Sequence, residues 1–140
     1  MACFRLLGAW SAVALAAAFT IGCGSARPPL VPVAGVVTLD GRPVSGGAVR
    51  VIPQNARAAT GTIGPDGRFT LGTFAEADGC VVGTHVVEVM PPPSGGDERS
   101  PPPAKPVDFP TRYISAGTSG LTITVTGPTT NLVITLSTDK

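Results

Sequence analysis

Leu121-Thr122-Ile123-Thr124-Val125-Thr126, followed after a short gap by Leu132-Val133-Ile134-Thr135-Leu136-Ser137, decides the fold class. In the first run every second residue is aliphatic and the others are threonine. Side chains on a strand alternate between two faces, so this run has one face for a core and one for water. The second run repeats the pattern with Leu132, Ile134 and Leu136. Together they predict a half-buried antiparallel pair, joined by the tight connection Gly127-Pro128-Thr129-Thr130-Asn131.

The same grammar extends towards the N-terminus. Val33 to Leu39 reads as a strand, ended by the turn pair Asp40-Gly41. Ala48 to Ile52 is a second strand, opened by Gly46-Gly47 and stopped by Pro53. Thr60-Gly61-Thr62-Ile63 and Arg68 to Phe74 flank Gly64-Pro65-Asp66-Gly67, which predicts a hairpin. Phe69 and Leu71 are its expected core residues. Thr84 to Met90 is dense in β-branched residues and ends at three prolines. Roughly seven short strands, with no helix pattern after the leader, predict an all-β, antiparallel β-sandwich over residues 33–138. Residues 91–110 interrupt it: eight of the 20 are proline, which predicts a long extended loop. A chain of 140 residues suits one such domain.

The first 22 residues are of another kind. Arg5 is followed by an apolar, small-residue run from Leu6 to Ile21, then Gly22 and Cys23. A basic start, a short apolar centre and a small-residue end make a signal peptide. The run is 16 residues, shorter than the roughly 20 that span a bilayer. The flank after it carries no stop-transfer charges, which argues against a permanent transmembrane anchor. Arg27 to Pro32, with three prolines, reads as an extended spacer, so residues 23–32 link leader to domain.

Thr20-Ile21-Gly22-Cys23 resembles the lipobox of bacterial lipoproteins, with Thr20 where leucine is usual. The resemblance implies that Cys23 is lipidated and becomes the N-terminus. Two or three acyl chains, at about 0.8 kcal/mol per buried CH₂, hold a small domain on a membrane. The alternative is free secretion after cleavage near Ala26. In either case Cys80 has no partner, and it reads as a small buried hydrophobe. A Cys23–Cys80 bridge arises only if Cys23 stays free.

A second resemblance covers about residues 30–138. Val33 to Val44, Gly47-Ala48-Val49, Asp66-Gly67-Arg68-Phe69-Thr70-Leu71 and Gly83-Thr84-His85-Val86-Val87-Glu88-Val89 resemble, in order and spacing, carboxypeptidase regulatory-like domains. These are transthyretin-like β-sandwiches, here with His85 where tyrosine is usual. The resemblance implies an accessory or adhesion-type module without a peptidase centre. Thr118-Ser119-Gly120-Leu121-Thr122 is similar to the tail of small bacterial lipoproteins that carry this domain alone.

Charge and chemistry narrow the function. The net charge is +1, and loss of Arg5 with the leader leaves nine bases against nine acids. No cationic face is available for nucleic acid. His85 and Glu88 have the spacing of a zinc-peptidase HxxE string, but on a strand they point to opposite faces, and His85 is the only histidine. No G-x-S-x-G, calcium loop or phosphate cradle is present, and Asp40, Asp66 and Asp78 read as turn formers. No catalytic residue, metal or cofactor is expected. The expectation is a non-catalytic, exported cell-envelope lipoprotein, tethered to a membrane through Cys23. It would bind an envelope protein or polymer through loops or strand edges. A small-ligand binder is the alternative, and would need Phe69, Phe74, Phe109 and Tyr113 to converge on a cleft.

Overall fold

In the computed structural model, residues 27–92 and 110–139 are described. The leader, Cys23, Phe109 and most of the proline-rich stretch lie outside them. Ten strands form: β1 (Leu30–Val31), β2 (Val33–Leu39), β3 (Arg42–Pro43), β4 (Ala48–Ile52), β5 (Ala59–Thr62), β6 (Arg68–Thr70), β7 (Cys80–Val81), β8 (Gly83–Met90), β9 (Thr122–Val125) and β10 (Thr129–Leu136). Between β8 and β9 lie a 3-10 turn, Thr111–Ile114, and one helical turn, α1 (Ala116–Ser119).

Two four-stranded sheets face each other, so the all-β sandwich read from the sequence is the observed architecture. In the first, β2 is central. β10 lies on one side, while β6 and β3 share the other, pairing with its first and last parts. The second runs β5-β4-β8-β9, antiparallel throughout. Alternation along each strand fills the space between them. Val33, Val37, Phe69, Ile134 and Leu136 come from one sheet; Val49, Val51, Val87, Val89 and Val125 from the other. Phe69 is 3% exposed and Leu71 fully buried, where the sequence put them.

Four details differ from the sequence reading. The Leu121–Thr126 and Leu132–Ser137 runs are not partners: β9 joins the second sheet and β10 the first, where it runs parallel to β2. Gly127-Pro128 therefore crosses between layers instead of closing a hairpin. Next, β5 and β6 are also split between sheets. They are tied to each other by the Thr60–Gly72 bridge and by the Gly64 N–H to Arg68 carbonyl bond of 2.8 Å. Third, Leu30–Val31 is not merely spacer but a strand antiparallel to β7. Last, Thr111–Ile114 and Ala116–Ser119 form two short helical turns. They are too short for a 3.6-residue repeat to show, and Gly120, at φ 61°, ends them in the left-handed conformation.

The registers define two ends. At the near end lie β1, β7, the start of β2, the start of β8 and the β9–β10 crossover. At the far end lie the Asp40-Gly41 turn, with both residues at positive φ, the Gly64–Gly67 turn and the helical segment. The chain approaching from Cys23 thus joins the near end.

Candidate functional site: an open seam between two strand edges

One side of the sandwich is closed by the β5–β6 connection. On the other side, among the described residues, β9 and β10 are both edge strands, each bonded to a single neighbour. Between them runs an open groove of about 410 Å³, lined by Thr124, Val125, Thr126, Asn131, Leu132 and Val133 among others. None of its lining residues is charged.

Two hydrogen bonds set the phase of the edges. The Leu136 carbonyl accepts the Asp40 N–H at 3.0 Å, so the backbone groups of Ile134 and Leu136 face β2. Those of Val133 and Thr135 consequently point out into the seam. Likewise the Leu121 carbonyl accepts the Val87 N–H at 3.0 Å, which turns the groups of Thr122 and Thr124 outward. Thr84 and Thr124 form the close, non-hydrogen-bonded type of pair, and their hydroxyls meet at 3.2 Å. Val133 is 58% exposed, the most exposed large hydrophobic among the described residues.

The far end of the seam is covered. The Tyr113 hydroxyl accepts the Ser137 N–H at 2.9 Å and donates to the Ser137 carbonyl at 3.1 Å. The Arg112 guanidinium donates to the Ser137 and Asp139 carbonyls. Ala116 N–H reaches the Glu88 carboxylate on β8 at 2.9 Å. The helical segment therefore spans both sheets and occupies the pairing groups just past β10. An edge strand with unpaired backbone invites another strand, and proteins guard such edges with charge, proline or a covering element. Among the described residues the cover ends at Ser137, and Thr129–Leu136 contains neither charge nor proline.

The residues weighed from sequence fall elsewhere. Cys23 lies outside the described residues. His85 is 3% exposed and faces the core, whereas Glu88 lies on the opposite face, 3.7 Å from Arg50. His85 Nε2 donates to the Val81 carbonyl at 2.8 Å, and Nδ1 has no partner among the described residues. Cys80 is buried, and burial pushes its thiol pKa up. Asp66 accepts the Arg68 N–H within its own turn. Asp40 binds the N–H and hydroxyl of Thr138, which hold its carboxyl below the usual range. Asp78 accepts the N–H groups of Thr73, Phe74 and Ala75, and these lower its pKa. Among the described residues no three potential metal ligands cluster, and no helix is long and apolar enough to cross a membrane.

Among the described residues, Phe69 and Phe74 border one groove, Phe69 from the core and Phe74 from the near-end surface, while Tyr113 lies apart at the seam. That groove, open and larger at about 770 Å³, crosses the outside of β5 and β6. Its Arg57 stacks on Phe74 and its Arg68 pairs with Asp66. The seam is the feature that alternation missed. A signal was present in Thr129–Leu136, an uncharged and proline-free strand sequence at the end of the domain.

The chain matches no protein-family model, no curated protein and no solved structure.

Proposed function

We propose that this protein is a non-catalytic interaction module of the cell envelope, held at a membrane by lipid on Cys23, that takes up an extended segment of a protein partner along the β9–β10 seam. The observation that carries the reading is the outward-facing backbone of Val133 and Thr135 on an uncharged edge that no described residue covers. In strand addition the main chain supplies affinity and alternate side chains supply selectivity. Exposed Val133 and half-buried Leu132 provide apolar contacts beside those hydrogen-bonding groups. The resemblance to carboxypeptidase regulatory-like domains supports a module of accessory type. The leader and Gly22-Cys23 support the address.

The test is a photoreactive residue at position 133 of the full chain in its own cell, with position 62 as control. Adducts with an envelope protein are expected from 133 and not from 62. Thr135→Pro should abolish them, because it deletes an N–H that faces the seam and leaves the bonds to β2 intact. Equal labelling from both positions, unaffected by Thr135→Pro, rejects strand capture. For the address, the mature protein in the membrane fraction should begin at Cys23 with added acyl mass. A soluble species beginning near Arg27 would make this a freely secreted module.

A further inference from the structure

We infer that the near end of the sandwich rests on the phospholipid headgroups of the bilayer, so that the domain stands on its anchor in one orientation. This rests on the lipid-anchor reading of Cys23 and goes beyond it, because a tether alone would let the domain tumble.

Reach is the first argument. Arg27, the first described residue, is only four residues on from Cys23. At about 3.5 Å per residue, the full extension of that stretch is about 14 Å. Beyond Arg27 the chain is fixed almost at once, because Leu30 and Val31 are paired with Val81 and Cys80. Whatever surface surrounds Arg27 is therefore kept within about 14 Å of the lipid.

The chemistry of that surface is the second argument. Arg27 lies over the Phe74 ring at 4.8 Å from its centre, and Arg57 at 5.7 Å. Phe74 and Val82 are both exposed hydrophobics. Two guanidinium groups around one accessible aromatic ring suit the boundary where lipid phosphates meet acyl chains. Guanidinium binds phosphate in bidentate fashion, and the apolar body beside it can enter the interface. Two acids are near. Asp78 has turned its carboxylate onto three backbone N–H groups, and Glu76 lies on the same loop. Contact with phosphate therefore depends on the two arginines and not on net charge.

Orientation follows. With the near end down, the strands rise from the membrane, the seam runs up the side, and Asp40-Gly41 and β3 point away from the lipid. A partner strand then approaches from the side, alongside the bilayer.

The experiment uses the acylated full chain in vesicles of phosphatidylethanolamine and phosphatidylglycerol with a quencher attached to the headgroups. The sole tryptophan, Trp10, leaves with the leader, so a single probe is unambiguous. Phe74→Trp is expected to be quenched several-fold more than Arg42→Trp, which reports on the far end. Adding Arg27→Glu and Arg57→Glu should bring the Phe74→Trp signal down to the Arg42→Trp level. If the protein carries acyl mass at Cys23 and floats with the vesicles, yet both probes are quenched equally, docking is overturned and the anchor stands. If Cys23 carries no acyl mass and the protein does not float, the anchor fails and docking fails with it.

Discussion

Gly35→Ala is a substitution to which this fold should be highly sensitive. Gly35 sits in the middle of β2 with Phe69 beside it on one side and Leu132 on the other. A Cβ there would lie 2.1 Å from the Leu132 carbonyl oxygen and 2.9 Å from its carbonyl carbon. Both are backbone atoms, so no side-chain rotamer can relieve the overlap. The cause is the register shift in β10 between Thr129 and Leu132, which brings that carbonyl over β2. To admit a methyl, β10 must move off β2 where their regular pairing begins. Overpacking a core costs about 1–3 kcal/mol when side chains can yield. With backbone on the opposing side, about 3 kcal/mol or more is expected. Taking a urea m-value of about 1.5 kcal/mol/M for a small domain, the midpoint should fall by about 2 M. Gly117→Ala is the control. It meets nothing within 4 Å and lies in α1, so a change of about 0.5–1 kcal/mol in the stabilising direction is expected. If Gly35→Ala unfolds within about 0.5 kcal/mol of wild type, a range typical of unconstrained surface sites, the placement of Leu132 against β2 is wrong.

Three further outcomes are expected. Phe69→Ala should cost about 3–5 kcal/mol by urea titration, because it empties a core site that is 3% exposed; an unchanged midpoint would contradict its place in the core. Asp78 contributes stability through its ionised form, since its folded pKa is lowered. Its contribution is present above the unfolded carboxyl pKa and lost as pH falls through the folded value. Asp78→Ala should therefore be destabilised at neutral pH, with the gap from wild type closing in acid; a gap that stays constant with pH would show that the carboxylate is not the cause. Finally, Cys80 should resist maleimide in the native protein and react once unfolded, as a buried thiol with raised pKa does. Rapid labelling under native conditions would place it at the surface.

Strand positions and core residues were legible in the sequence because alternation reports burial directly. Phe69 and Leu71 needed only a period of two. The same signal does not say which strands are neighbours. Thr122–Val125 and Thr129–Leu136 both alternate, so the short connection between them suggested a pair. Their separation comes from competition for β2 and β8, which are distant in the chain. β1 was masked by the prolines around Leu30-Val31, which read as a spacer until β7 supplies a partner. The helical segment owes its position to contacts rather than propensity: Tyr113 to Ser137, 24 residues away, and Ala116 to Glu88, 28 residues away. No local pattern encodes either. Asp78 was legible as a turn former, but its hold on three N–H groups depends on loop geometry. The candidate site was the least legible part, because an edge is defined by what is not beside it.

Amide hydrogen exchange along β10 tests the central claim most directly. If the seam is open, the N–H groups of Val133 and Thr135 should exchange rapidly, while those of Ile134 and Leu136, bonded to β2, remain protected. Uniform protection of all four would mean that the edge is already covered within the domain, and that no partner strand is accepted there.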